Sequence, residues 1–192
     1  IGADGIVELA SLDGTNGFTV IGSEPLDFLG QAVAGIGDVN GDGIDDFAVG
    51  AHRADGVHFD IGETYVIFGR VGIGNTGIFD PASLNGDNGF IVRGDAGGVE
   101  FGGYAVAGAG DVNGDDFFHV LIGAPLTEVH GESRVGTAYV VFGGADVGRA
   151  GVFELAAVNG SNGFVMNGIA QDDTAGISVS GAGDVNGDGI DD

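Results

Sequence analysis

Short apolar runs separated by turn residues recur along the whole chain. In the first repeat of this pattern they lie near 18–21, 31–36, 47–51 and 64–68, and each is bounded by Gly, Asn or Asp. The runs are too short for helices and are rich in Val, Ile, Phe and Tyr, which favour strands. The pattern therefore predicts an all-β chain with four short antiparallel strands in each full repeat.

The pattern returns with a fixed period. The string DVNGDGIDD begins at Asp38, an altered copy begins at Asp111, and an intact copy begins at Asp184. The differences 111 − 38 and 184 − 111 are both 73 residues, a period typical of stacked supersecondary units. Four strands per repeat suggest the blades of a β-propeller or a related stacked sheet. We place the repeats within one propeller-type domain, at 1–76, 77–150 and 151–192.

The third repeat is incomplete, because it lacks the two apolar runs that follow the acidic string in the other repeats. A blade that ended at Asp192 would expose unpaired strand edges. We expect the natural chain to continue, so that these residues correspond to about two and a half blades. Completion of the open edges by other copies of the chain is the alternative.

The acidic string has the composition of a calcium-binding loop. Positions 1, 3, 5 and 9 are Asp or Asn and position 6 is Gly, which gives Ca²⁺ the oxygen ligands and the sharp turn that it needs. The twelfth position is Val49 rather than the Glu of a helix-flanked EF-hand, so the ninth Asp must close the coordination. The predicted ligands are Asp38, Asn40, Asp42, the Ile44 carbonyl and Asp46 in loop one (38–46), and Asp184, Asn186, Asp188, the Ile190 carbonyl and Asp192 in loop three (184–192).

Loop two, residues 111–119, departs from this pattern. Asp116 replaces the sixth-position Gly, and His119 replaces the ninth-position Asp. Imidazole nitrogen is a poor ligand for Ca²⁺, and the change also removes a negative charge. We therefore predict weaker calcium binding at loop two, or none. Its candidate ligands are Asp111, Asn113, Asp115 and the Phe117 carbonyl.

Composition narrows the class of protein. The net charge is −24, from 29 acidic and 5 basic residues, and a field of that sign repels nucleic acid and anionic lipid. Cysteine is absent, which excludes a disulfide scaffold and thiolate metal sites. No apolar run is long enough to span a membrane, so we expect no membrane insertion.

Two further strings complete a family resemblance. Phe101-Gly102 precedes loop two and Gly123-Ala124-Pro125 follows it, so this repeat resembles the FG-GAP repeats of integrin α-chain propellers and their bacterial relatives. The resemblance implies a propeller of four-stranded blades with Ca²⁺ in hairpin loops on one face, and an extracellular or cell-surface adhesive role. The LNGDNGF type of segment is similar to repeats in large secreted bacterial proteins. An integrin α subunit itself would be expected to contain disulfides.

Two other strings are interpreted as framework. Arg93-Gly94-Asp95 is a tripeptide that integrins recognise, but it aligns with unrelated residues at the same strand exit in the other repeats. Ser178 and Ser180 align with strand alanines and lack the context of a nucleophile elbow. We expect no catalytic residues in this chain.

The predicted function is that of a calcium-binding structural or adhesive module of a secreted or cell-surface protein. An extracellular protein or a glycan is the expected kind of ligand, and self-association through open blade edges is a further expectation. The alternatives are a lectin-like carbohydrate-binding propeller, a self-assembling filament subunit and a non-catalytic domain of a larger secreted hydrolase. Two segments, 52–63 and 125–136, differ between repeats, and the residues there that we expect near a ligand are Arg53, His58, His130 and Arg134.

Overall fold

The computed structural model describes residues 6–55, 60–94 and 102–192. Within these ranges the chain is all-β, as the sequence predicts, with eleven strands and three short 3₁₀ turns. The turns are Leu9–Ser11, Pro81–Ser83 and Leu155–Ala157. The strands are β1 (Thr19–Val20), β2 (Ala32–Gly37), β3 (Asp46–Ala51), β4 (Glu63–Ile67), β5 (Ile78–Phe79), β6 (Gly89–Arg93), β7 (Ala105–Gly110), β8 (His119–Ala124), β9 (Thr137–Val141), β10 (Val152–Glu154) and β11 (Gly163–Asn167).

The strands form two blade-like antiparallel sheets and one small pair. The first sheet has the order β2-β3-β4-β6, with β10 added in parallel at its outer edge. The second sheet has the order β7-β8-β9-β11. Strands β1 and β5 pair in parallel with each other. Four antiparallel strands in each sheet are consistent with propeller blades.

The sheets are offset from the sequence repeats by one strand. The first run of repeat one is β1, which does not join β2, β3 and β4. The outer strand of the first sheet is instead β6, which comes from the following repeat and pairs antiparallel with β4. In the same way β11 completes the second sheet. The intervals 1–76, 77–150 and 151–192 therefore differ from the residues that make up each sheet, because the outer strand pairs with the edge that is nearest in space.

The central core lies between the two sheets. Side chains alternate along each strand, so Ala48 and Val66 of the first sheet face Val120 and Ile122 of the second sheet in one buried cluster. The opposite face of the first sheet packs in a second cluster around Ile67. The opposite face of the second sheet packs in a third cluster, which contains Leu121 and Val140. Burial of the central cluster holds the two sheets together, and the other two clusters cover their opposite faces.

Glycines let the inner strands approach backbone to backbone. A Cβ on Gly50 would overlap the Gly103 carbonyl, and one on Gly123 would overlap the Gly176 carbonyl. These pairs are 73 residues apart, so the second junction repeats the first. The third repeat thus packs against the second sheet through Gly176, although residues 177–181 form no strand. In the other repeats this segment pairs with the strand that follows the loop, and no such strand follows loop three in residues 1–192.

A small polar network crosses the outer edge of the first sheet. The Arg93 guanidinium donates through Nε to Glu63 Oε1 at 2.9 Å, and the Tyr65 hydroxyl donates to Glu63 Oε2 at 2.7 Å. Arg93 Nη1 also lies 3.8 Å from Glu154 Oε1 on β10. The Arg93 of the Arg-Gly-Asp string therefore ties three strands together, while Asp95 lies outside the described residues.

Candidate metal-binding loops

The acidic loops lie at one end of the sheets, where each inner strand turns back. Loop one connects β2 to β3, loop two connects β7 to β8, and loop three follows the equivalent segment of the third repeat. A register irregularity precedes the first two loops, at Gly35/Gly37 and at Gly108/Gly110. The period seen in the sequence thus places the three acidic strings at equivalent positions of successive repeats.

The first Asp of each loop organises the backbone around its carboxylate. In loop one, Asp38 Oδ1 accepts from the amides of Gly41 and Asp42 at 2.7 and 3.1 Å, and Oδ2 accepts from Gly43 at 2.7 Å. Asp111 and Asp184 accept the same three bonds from their own loops. Three backbone N–H groups that donate to one carboxylate stabilise the turn by themselves, independently of a bound ion.

The third and fifth positions reinforce the same turn. Asn40 Oδ1 accepts from the Asp42 amide, and Asp42 Oδ1 accepts from the Ile44 amide, both at 2.9 Å. Each side chain thus bonds to the backbone two residues ahead, as Asp and Asn do in turns. Loops two and three repeat these bonds. The turn in each loop is therefore stabilised by hydrogen bonds between the side chains and the backbone of the same loop.

The sixth position needs a left-handed backbone in all three loops. Gly43 and Gly189 have φ of 86° and 90°, and Asp116 has φ of 69°. Glycine adopts this conformation without a steric penalty, whereas Asp is one of the few other residues that tolerate it. Loop two therefore keeps the fold of its neighbours despite the substitution.

In loops one and two the ninth residue begins the strand after the loop and is buried. Asp46 is 2% exposed, and its carboxylate accepts from the Val39 amide at 2.9 Å and from the Gly69 amide at 2.8 Å. Burial raises the pKa of Asp46 to about 6, against the opposing effect of these two N–H donors. Asp192 accepts the equivalent bond from the Val185 amide at 3.0 Å. In loop one the ninth carboxylate thus ties the start of the loop to the strand that follows, and in loop three it ties the start of the loop to its end.

In loop two the buried ninth position holds an imidazole. His119 is 0% exposed, and its Nδ1 accepts from the Gly143 amide at 3.1 Å, which mirrors the bond from Gly69 to Asp46. Its Nε2 lies 3.9 Å from Asp111 Oδ1. One ligand atom each from Asp111, Asp115 and His119 lie within 4.8 Å of one another. Among residues 6–55, 60–94 and 102–192, no other group of three or more Asp, Glu or His side chains converges in this way.

The first carboxylates of loops two and three have low pKa values. Burial raises the pKa of Asp111, but hydrogen bonds from the amides of Asp116, Asp115 and Gly114 outweigh it, so the pKa lies below the ordinary value. The Gly189 amide is the largest cause of the lowered pKa of Asp184. Both groups therefore carry full negative charge at neutral pH and are suited to hold a cation.

Neighbouring loops are connected through their eighth residues, a contact that was not predicted from the sequence. The Phe118 amide donates to the Asp38 carbonyl at 3.2 Å, and the Asp191 amide donates to the Asp111 carbonyl at 3.1 Å. Asp191 Oδ2 also accepts from the Asp111 amide at 2.9 Å. The signal available in the sequence was the 73-residue period itself, which places Phe118 and Asp191 at the same position of successive loops.

A groove lies beyond the opposite ends of the strands, away from the loops. It has a volume of about 420 Å³, and Arg53 and Arg134 line it together with Phe28, Tyr104 and Leu126, among others. Two of the four residues expected near a ligand thus meet there. His130 is exposed and is not part of the lining, and His58 lies outside the described residues.

The two arginines of the groove are held by neighbouring groups. Arg53 Cζ lies 5.3 Å from the centre of the Phe28 ring, and Arg134 Nε lies 3.5 Å from Asp172 Oδ1. The groove therefore combines aromatic and aliphatic surface with two of the five positive side chains of the chain.

One part of the chain matches a known protein family. Residues 29–67, which include β2, loop one, β3 and β4, match the model of the FG-GAP repeat. The matched segment carries the intact first loop and the hairpin around it. No helix in the described part of the chain is long and apolar enough to cross a membrane.

Proposed function

Taking residues 29–67 as an FG-GAP repeat, we propose that this chain is a calcium-binding structural and adhesive module of a secreted or cell-surface protein. The observation that carries the proposal is the recurrence of one acidic loop, held by its own side-chain hydrogen bonds, at equivalent places in successive repeats. FG-GAP repeats occur in extracellular proteins, which supports the proposed location.

Loops one and three have the donor set for Ca²⁺. The proposed ligands are side-chain oxygens of positions 1, 3, 5 and 9 and the carbonyl of position 7, and oxygen donors alone suit this hard cation. In loop one the buried Asp46 has a raised pKa, and a bound cation would offset the cost of its charge. Bound Ca²⁺ would also neutralise the Asp38 and Asp42 carboxylates and join the inner hairpin more firmly.

Calcium in this role stabilises the folded state by mass action. An ion that binds the native loop and not the unfolded chain adds about 2.7 kcal/mol when its concentration is 100 times Kd. Because loop one contacts loop two through Asp38 and Phe118, that stabilisation reaches the junction between sheets. We therefore assign the ion a structural role, with no catalytic step.

The test is a calcium titration by calorimetry, paired with thermal unfolding in Ca²⁺ and in chelator. We expect two sites and a clear rise in Tm with Ca²⁺. Asp38→Ala should remove one site, and Asp184→Ala should remove the other. Glu128→Ala, at an exposed carboxylate outside the loops, is the matched control and should leave both sites intact. Absence of binding together with an unchanged Tm would contradict the proposal.

The groove supports a second candidate function, the recognition of an anionic ligand. Its aromatic and aliphatic lining offers stacking and apolar contact, and Arg53 and Arg134 offer bidentate donors to a carboxylate or sulfate. An acidic glycan or an acidic segment of an extracellular protein has this chemistry, so the groove favours the lectin-like alternative over the filament subunit. Binding of sulfated and uronate-containing glycans on an array, lost in the double variant Arg53→Ala/Arg134→Ala and kept in Arg149→Ala, is the expected result.

Self-association is a separate proposal that concerns the open strand edges. The edges of β11 and of the two-stranded pair β1-β5 are available for further pairing within the described residues. Light scattering with and without Ca²⁺ separates a monomer from a polymer, and a monomer at high concentration in both conditions would rule out the filament alternative.

A further inference from the structure

His119 is a buried side chain with one nitrogen left without a hydrogen-bond partner. Its Nδ1 accepts from the Gly143 amide, but its Nε2 has no partner and no solvent contact. A polar atom enclosed in this way costs free energy unless something binds to it. The groups that Nε2 faces therefore indicate what could bind to this atom.

Nε2 faces the carboxylates of its own loop. Asp111 Oδ1 is 3.9 Å away, which is too long for a hydrogen bond, and an oxygen of Asp115 completes a group with all separations within 4.8 Å. Two ligand atoms at about 2.1 Å from one Zn²⁺ lie about 3.4 Å apart at a tetrahedral angle. The Asp111–His119 separation exceeds this by a small amount, and the exposed Asp115 carboxylate is held beside them by the Phe117 amide and the Asn113 side chain.

We propose that loop two binds a borderline divalent cation of the Zn²⁺ class, in preference to Ca²⁺, through His119 Nε2 and one oxygen each of Asp111 and Asp115. Imidazole together with carboxylate suits Zn²⁺ and its neighbours in the transition series, whereas Ca²⁺ takes oxygen ligands. The substitution that weakens the loop as a calcium site thus creates a site of different selectivity. This inference does not depend on calcium binding at loops one and three.

The Gly143 contact determines how the proton is handled. Because Nδ1 accepts from the Gly143 amide, the proton of the neutral ring is on Nε2. A metal at Nε2 requires the ring proton on Nδ1, so binding breaks the hydrogen bond from the Gly143 amide, and the metal–nitrogen bond must outweigh that loss. Binding should therefore move the backbone amide resonance of Gly143 as well as the ring signals.

The experiment uses the full chain, stripped with chelator and then held in millimolar Ca²⁺ while Zn²⁺ is titrated by calorimetry. We expect one Zn²⁺ per chain that Ca²⁺ does not displace, with a change in the ¹⁵N shift of His119 Nε2. Asp115→Asn, at an exposed position, should weaken Zn²⁺ binding at least 10-fold with the melting curve in chelator preserved. His130→Ala, which removes an exposed imidazole outside the loop, should leave the affinity unchanged.

A second control makes loop two resemble loop one. His119→Asp gives loop two the ninth residue of loop one, so this variant should lose the Zn²⁺ site and gain an additional Ca²⁺ site. The proposal is overturned if Zn²⁺ does not bind, if millimolar Ca²⁺ displaces it, or if Asp115→Asn binds Zn²⁺ as tightly as the wild type. Failure of Ca²⁺ binding at Asp38 and Asp184, with Zn²⁺ binding intact, would contradict the proposed calcium function and leave this inference standing.

Discussion

At the scale of single residues, Asp27 is a carboxylate in an unfavourable place. It is 9% exposed, and burial raises its pKa, with further contributions from the negative charges of Asp55 and Glu24. A raised pKa in the folded state means that the stability it contributes is complete below pH 3.8 and is lost as the pH rises through the folded-state value. At neutral pH the ionised Asp27 therefore destabilises the fold.

We accordingly expect Asp27→Asn to be more stable than the wild type at pH 7, by about 0.5–2 kcal/mol. The difference should shrink towards zero near pH 3, where Asp27 is protonated in both states. Urea unfolding at a series of pH values measures it, and Glu128→Gln, at an exposed position, is the control. A gain that is the same at pH 3 and pH 7 would contradict the electrostatic explanation.

The loops show how far residue types alone carry a site prediction. The side-chain oxygens at positions 1, 3, 5 and 9 predict one turn for loops one and three, and the structure shows the same self-bonded turn in all three loops. The ion itself stays a prediction. The sequence did not reveal that Asp46 bonds to the Gly69 amide, because that donor is 23 residues away and is brought close only by the pairing of β3 with β4. For loop two the sequence predicts that Asp111 and Asp115 share one site, but it treats His119 only as a poor ligand for Ca²⁺, so a metal-binding role for this side chain was not predicted.

At the scale of elements, the inner strands depend on glycines that face a neighbouring backbone. Gly50→Ala would place a methyl group on the Gly103 carbonyl, so we expect the free energy of unfolding to fall by about 1–3 kcal/mol. Gly35, in the adjacent strand, has open space where its Cβ would be. Gly35→Ala should therefore leave stability unchanged or raise it by up to about 1 kcal/mol. Equal losses in the two variants, measured by urea unfolding, would argue against the close approach of the inner strands.

The outer edge of the first sheet depends on the network around Glu63. Arg93→Ala leaves the carboxylate of Glu63 mostly buried without its cation, and we expect a loss of about 1–3 kcal/mol. The control is Arg149→Ala, which breaks an exposed pair with Asp146 and should cost less than about 0.5 kcal/mol. Thermal unfolding of both variants tests this. Adding Glu63→Gln to Arg93→Ala should recover part of the loss, and a strictly additive double variant would speak against a direct coupling.

Strand identity was predictable and strand partnership was not. The alternating apolar runs located β2, β3 and β4 closely, because a side-chain period of two is visible in a single sequence. The assignment of β6 to the preceding sheet rests on which edge is nearest in space, and no local pattern reports that. Strands β5 and β10 were also missed, since two or three residues are too few to show a period.

At the scale of the whole molecule, the net charge of −24 is the dominant long-range feature. Like charges spread over so small a protein repel one another and favour expansion of the chain. In chelator, we expect Tm to rise as NaCl increases from about 0.01 M to 0.5 M, because the Debye length falls from about 30 Å to a few ångström. The rise should be smaller in Ca²⁺, which neutralises part of the charge by binding. A Tm that does not respond to salt in chelator would show that self-repulsion is not a significant cost.

The all-β class followed from composition and periodicity, which are properties of the whole chain. The packing of the two sheets through the central buried cluster did not, because it depends on which face of each strand meets its neighbour. The groove is a similar case. The variable segments predict that Arg53 and Arg134 lie near a ligand, but only the three-dimensional arrangement brings them to one surface.

Because of the one-strand offset between repeat and sheet, the segment that is repeated in the sequence is not the segment that forms one sheet. A tandem duplication of one 73-residue period adds three strands of a new sheet. It also adds the outer strand that completes the sheet of the preceding repeat, wherever the breakpoints fall. Recombination within such a gene is therefore not confined to the boundaries of folded units. The array of repeats should therefore lengthen readily by whole periods. Deletion of the residues that form one sheet would instead leave the adjoining strands of the chain without a pairing partner.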